Sequence, residues 1–191
     1  MFRLKAIADA LTWLRLMLGP GLVALGAWGG ADAIGIAARA VLVGWATDAL
    51  DGPLARRDPE SRSTWIGRHD LLVDVSFSLG VWLYLALAGW VPLAGASIYV
   101  LLAALAIWQT RSVQLAWGVQ GLPYIGMGLV ALRLVPRIGW MYVAYVVGVV
   151  VVTWPRIPQR ARIFVEALLH GFRKHDAAEA AQRSEHLSRS D

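Results

Sequence analysis

Six apolar runs, at 11–30, 33–55, 68–90, 92–111, 114–134 and 138–154, take up most of this 191-residue chain. Each is close to the ~20 residues that a helix needs to cross a hydrocarbon layer. Helices satisfy their own backbone hydrogen bonds in lipid, and this makes them the natural form for such runs. Breaks fall at Gly29-Gly30, at the polar stretch Arg56–Ser63, at Val91-Pro92, at Arg111-Ser112 and at Pro136-Arg137. The expectation is an all-α integral membrane protein with six transmembrane helices over 11–155. A short amphipathic segment at 1–10 would lie on the membrane surface, with Arg3 and Lys5 in water. The 58% hydrophobic content and mean hydropathy of +0.55 agree with a bilayer rather than a soluble core.

The basic residues give the orientation. With the N-terminus inside, the inner segments carry Arg3, Lys5, Arg15, Arg56, Arg57, Arg62, Arg68, Arg111, Arg156, Arg160 and Arg162. The outer turns carry only Arg133 and Arg137. The positive-inside rule then puts both termini in the cytoplasm, in an inner or plasma membrane. The net charge of +5 is explained by this distribution. Basic runs interleaved with stacking aromatics are absent, so no nucleic acid is expected as a partner. With no cysteine, disulfides and thiolate metal sites are excluded. The ten Trp lie mostly near run ends, as an interfacial belt requires. From residue 156 the chain turns polar. Pro158–Phe172 is basic and amphipathic, fit to lie on the inner leaflet, and 174–191 has the composition of a disordered tail.

Against this background four acids stand out: Asp48, Asp51, Asp70 and Asp74. A carboxylate at membrane depth is costly and implies a partner and a function. Asp48 and Asp51 are i and i+3, Asp70 and Asp74 are i and i+4, so on helices each pair shares one face. Both pairs fall on the cytoplasmic side, at the end of the second span and the start of the third. Side by side they make a four-carboxylate cluster, and oxygen-preferring divalent cations would neutralise it.

The residues around the acids read Asp48-Ala-Leu-Asp51-Gly52-Pro-Leu-Ala55-Arg56, then thirteen residues, then Asp70-Leu-Leu-Val-Asp74. This resembles the signature of the CDP-alcohol phosphotransferases, D-x2-D-G-x2-A-R-x8-G-x3-D-x3-D. Leu11-Thr12-Trp13-Leu14-Arg15 is similar to the L-T-x2-R opening of that family. Thirteen residues rather than twelve separate Arg56 from Asp70, and Gly67 stands three residues before Asp70 instead of four.

The resemblance implies a membrane enzyme of phospholipid biosynthesis that moves a phosphatidyl group from a CDP-linked lipid, CDP-diacylglycerol, to an alcohol, releasing CMP. It implies two Mg²⁺ or Mn²⁺ ions held by Asp48, Asp51, Asp70 and Asp74, with Asp74 also the catalytic base. Nucleotide contacts would come from Asp51, Gly52, Ala55 and Arg56, and homodimers are common in the family. The chemistry agrees: two divalent ions on carboxylates can neutralise a pyrophosphate, orient a nucleophile and stabilise a leaving group. Gly52 lets a phosphate or base approach the backbone, and the fork of Arg56 suits a pair of phosphate oxygens. Gly52 also reads as a packing glycine, and Arg56 as a positive-inside anchor. His69 reads as an interfacial polar residue rather than a ligand. A phosphorylated acceptor would call for cations, for which Arg111, Arg156 and Arg160 are the inner-side candidates. Two other readings stay open: a soluble CDP-alcohol donor with a lipid alcohol acceptor, and a non-catalytic divalent-cation transporter.

Overall fold

The computed structural model describes residues 4–56, 64–110 and 113–154. Among them every regular element is helical: α1 (Leu4–Gly29), a 3-10 turn (Gly30–Ala33), α2 (Ile34–Arg56), the short α3 (Trp65–Arg68), α4 (Asp70–Leu87), α5 (Leu93–Thr110), α6 (Val113–Leu134) and α7 (Pro136–Thr153). Six of these are long, and apart from the start of α1 each starts and stops within a few residues of an apolar run.

Two expectations need correction. The segment 1–10 is not a separate element as far as it is described, because residues 4–10 are the first turns of α1. Leu-Lys-Ala-Ile-Ala-Asp-Ala contains nothing that stops a helix, and Lys5 pairs with Asp9 one turn on, at 2.7 Å. The second concerns spans. By length and hydropathy four stretches, not six, are able to cross a membrane: Leu4–Ala55, Asp70–Leu87, Leu93–Thr110 and Leu115–Leu134. Leu4–Ala55 counts once because the 3-10 turn leaves no non-helical break between α1 and α2. The apolar Pro136–Val152 is shorter than the other four.

Glycine sets two of the reversals. Gly30 takes φ +52° at the α1–α2 turn and Gly89 φ +80° after α4, in the left-handed region where a side chain is strained. The first folds α2 back along α1, so that Arg15 meets Asp48 and Asp51. At the last reversal a single residue, Val135, separates α6 from α7, and Pro136 opens α7 where its missing N–H costs nothing.

The bundle is built around α1 against α4. A Cβ placed on Gly80 would stand 2.5–2.8 Å from the backbone of Gly19, so the two helices touch main chain to main chain. One turn of α1 toward its N-terminus lies Arg15, and this close approach brings it to the start of α4. Leu22, Val41, Phe77, Val81, Leu85 and Met127 fill the centre. Tyrosines tie the outer helices to it: Tyr142 donates to the carbonyl of Ala38 (3.0 Å) and Tyr145 to that of Trp45 (3.0 Å). Pro123 inside α6 has no N–H to give the Val119 carbonyl, and the Tyr99 hydroxyl of α5 donates to that carbonyl instead. Large apolar side chains cover the outside, as on α5 at Leu93, Ile98, Leu101, Leu102, Leu105 and Trp108. That is the reverse of a soluble surface. Trp45 and Trp82 depart from the expected belt. Trp45 packs among Tyr124, Tyr142 and Tyr145, and Trp82 is buried with its N–H on the Ala96 carbonyl at 3.2 Å.

Candidate functional site

The buried residues of α1 are Ala8, Thr12, Arg15, Gly19, Leu22 and Gly26, a stripe with alternating steps of four and three. This is one helix face. Arg15 is its only charged member and is 1% exposed. Its guanidinium reaches all four aspartates of α2 and α4. Nη1 pairs with Asp48 and, at 2.7 Å, with Asp74; Nη2 pairs with Asp51 and, at 3.1 Å, with Asp70. The two pairs predicted to share faces therefore converge on one point, and what joins them is an arginine.

The carboxylates differ in access. The Asp51 side chain is 10% exposed and Asp74 21%, while Asp48 and Asp70 are 54% and 44% exposed. Thr12 closes over Asp51: its hydroxyl lies 3.3 Å from Asp51 Oδ2 and 3.1 Å from the Ala8 carbonyl, and its one hydrogen serves one of them at a time. Oxygens of Asp48, Asp70 and Asp74 lie within 4.8 Å of one another, close enough to share a cation. Asp51 is turned toward Arg15 and Thr12. With all four acids ionised, one guanidinium leaves the cluster three negative charges in excess. Asp74 Oδ1, although near Arg15, is buried without an aligned hydrogen bond, as is Arg15 Nε. Hard divalent cations suit such a donor set.

Beside the cluster lies a cavity of about 400 Å³, large enough for a small molecule. Arg15, Asp48 and Asp74 form its charged wall, with Gly44, Trp45 and Phe77 next to them. The opposite wall is one face of α6: Trp117, Gln120, Gly121 and Tyr124, at i, i+3, i+4 and i+7. A second, apolar cavity of about 180 Å³ lies between α4, α5 and α6, and Gln120 and Ser78 are among its lining.

Other residues singled out in the sequence sort plainly. Gly52 and Ala55 are half-buried on the last turns of α2. Arg56 ends that helix, and its side chain lies outside the description. Arg111, Arg156, Arg160 and the segment 156–191 lie outside the described residues. His69 stacks on Trp65 at 4.5 Å, with Nδ1 2.8 Å from the Trp65 carbonyl. Trp13 stacks on Trp65 from the other side, at 6.4 Å. Thr64 caps α3 by accepting from Gly67 N (3.3 Å) and donates to Asp9 (2.9 Å), which fastens α3 to α1. Arg39 is exposed on the N-terminal half of α2.

Sequence reasoning missed the role of Arg15, which reads as one more inner-side cation. The signal was present: the four-three stripe places it among small residues on the packed face. The α6 wall had no comparable signal. Comparison with protein families, curated proteins and solved structures returns no match for this chain.

Proposed function

We propose that this chain is a membrane-embedded CDP-alcohol phosphotransferase that transfers a phosphatidyl group from CDP-diacylglycerol to an alcohol. One observation carries the reading: the four aspartates of the signature meet in a single partly open site, beside a cavity of small-molecule size. In this reading Asp48, Asp70 and Asp74 hold Mg²⁺ or Mn²⁺, and Asp51 completes the set as it exchanges contacts with Arg15. The ions, when bound, neutralise the pyrophosphate. The acceptor oxygen bonds to the β-phosphorus as the bond from that phosphorus to the bridging oxygen breaks. CMP leaves with the bridging oxygen, and the acceptor's proton passes to the Asp74 carboxylate. Arg15 keeps four like charges at working distance. Gly52 and Ala55 leave room for the nucleotide at the end of α2, and Arg56 takes phosphate oxygens.

Four apolar stretches long enough to cross a membrane, with both termini cytoplasmic, suit this role. Leu4–Ala55 is a hairpin with arms of about 39 and 35 Å, each able to cross a hydrocarbon layer ~30 Å thick. The test is CMP release by purified protein in lipid vesicles with CDP-diacylglycerol, Mg²⁺ and a panel of alcohols. A new phospholipid formed one for one with CMP supports the reading; no CMP with any alcohol overturns it.

A further inference from the structure

The transferase reading leaves the acceptor open, and the lining of the 400 Å³ cavity bears on it directly. Three kinds of small alcohol differ in what they ask of a pocket. A phosphorylated alcohol asks for uncommitted cations. A neutral polyol asks for many hydrogen-bonding groups, since each buried hydroxyl left unpaired is costly. An alcohol bearing an ammonium group asks for aromatic faces and negative charge.

The aromatic and acidic lining of the cavity answers the third demand. Trp45, Phe77, Trp117 and Tyr124 are four of the ten lining residues, and Asp48 and Asp74 supply two carboxylates. The only cation lining the cavity among the described residues is Arg15, already shared by four aspartates. Polar groups for a polyol are few. The Gln120 amide nitrogen donates to the Ala116 carbonyl at 3.1 Å, the Tyr124 hydroxyl is bonded to Ser78, and Gly44 and Gly121 bring no side chain.

The aromatic wall is also fixed in advance. Trp45 is held by ring contacts to Tyr124 (5.3 Å), Tyr142 (5.0 Å) and Tyr145 (5.1 Å), so little ordering remains to be done when a ligand arrives. Trp117, 63% exposed, lines the cavity from α6. We infer that the acceptor is an alcohol carrying a positively charged ammonium group, with its hydroxyl toward Asp74 and its cationic end against the aromatic face of α2 and α6. The inference rests on the transferase reading for the hydroxyl's fate, and on the cavity alone for the cation.

The experiment has an activity arm and a binding arm, both on the full chain in vesicles with Mg²⁺. In the first, CMP release from CDP-diacylglycerol is measured with choline, ethanolamine, glycerol, glycerol 3-phosphate and 3,3-dimethylbutan-1-ol, the uncharged isostere of choline. An ammonium alcohol should exceed the isostere at least tenfold in kcat/KM. Trp117→Leu should raise its KM at least fivefold, and Trp117→Phe, which keeps an aromatic face, should restore most of that loss. Turnover that is equal with the isostere, or best with glycerol or glycerol 3-phosphate, overturns the ammonium assignment and leaves the transferase reading standing. In the second arm choline binding is followed by calorimetry. If no alcohol releases CMP, saturable choline binding weakened by Trp117→Leu upholds the cation site while the transferase reading falls. No choline binding in that case overturns both.

Discussion

Arg15 Nη1 stands 2.7 Å from Asp74 Oδ1, so the one charged residue on the packed face of α1 touches the carboxylate proposed as base. The same guanidinium holds Asp48, Asp51 and Asp70. Removing it takes away the one guanidinium that all four acids share. Arg15→Gln is expected to cost about 2–3 kcal/mol, below the usual figure for a broken buried pair because Asp48 and Asp70 are half exposed. Mg²⁺ should recover much of that loss, making the melting temperature of the variant far more dependent on Mg²⁺ than that of wild type. Equal melting of the two proteins in chelator would show that Arg15 carries no such burden.

Asp74→Asn should abolish CMP release while leaving substantial binding of the CDP-lipid, because three carboxylates of the cluster remain. Asp48→Asn and Asp70→Asn should weaken Mg²⁺ and nucleotide binding together, since their oxygens share the 4.8 Å group with Asp74. Near-normal turnover by the Asp74 variant would take the role of base away from it. Full turnover of wild type in excess chelator would remove the ions from the reaction.

The contact of Gly19 with Gly80 holds α1 to α4 beneath the site. In Gly80→Ala the new Cβ meets the Gly19 backbone at 2.5–2.8 Å, and main chain cannot swing aside as a side chain can. The expected cost is about 1–3 kcal/mol, with weakened Mg²⁺ binding because Arg15 shifts with α1. Gly21→Ala, on the same helix with nothing within 4 Å, is the control and should be neutral. Unfolding in mixed detergent, with Mg²⁺ titration of both variants, decides between them.

Arg111→Ala separates the acceptor classes. A phosphorylated acceptor bound through Arg111 would lose a charge-assisted contact of roughly 1.5–3 kcal/mol, and its KM would rise more than tenfold. An ammonium alcohol held by the α6 wall predicts an acceptor KM within about twofold of wild type, the uncertainty common to single surface substitutions. Saturation curves for both substrates, in wild type and variant, give the answer.

The proposed orientation places 57–63 and the C-terminal tail in the cytoplasm. Cysteine introduced at Ser63 or Ser184 should react with a membrane-impermeant thiol reagent only from the cytoplasmic side. The absence of native cysteine makes the labelling unambiguous. Reaction at position 63 from outside would put the aspartates on the wrong face.

The helices and the acids were legible because both break a strong rule. Apolar runs of bilayer length have few alternatives, and apart from the start of α1 each of α1, α2, α4, α5, α6 and α7 lies within a few residues of one. Asp48, Asp51, Asp70 and Asp74 are conspicuous in hydrocarbon, and helical spacing pairs them. The number of spans was harder to read, because a glycine in the left-handed region turns the chain without ending its helical character at Gly30. Arg15 was hidden by its position. Near an inner segment end, an arginine looks like an orientation signal, and only the meeting of three helices shows what it holds. Trp45 and Trp117 were hidden likewise, since tryptophan near the end of an apolar run suits the interface equally well.

Tyr99 and Val119 carry a consequence for mechanics. Pro123 leaves α6 one hydrogen bond short, in the turn between the two halves of the cavity wall, with Trp117 below it and Tyr124 above. The missing bond is supplied from α5, whose apolar window is only 6% buried and so faces its surroundings along nearly its whole length. A soft point in the wall is thereby latched by the helix that feels the bilayer most. A bilayer that changed the tilt of α5 would act through this bond on the Val119 turn, next to the wall of the chamber beside Asp74.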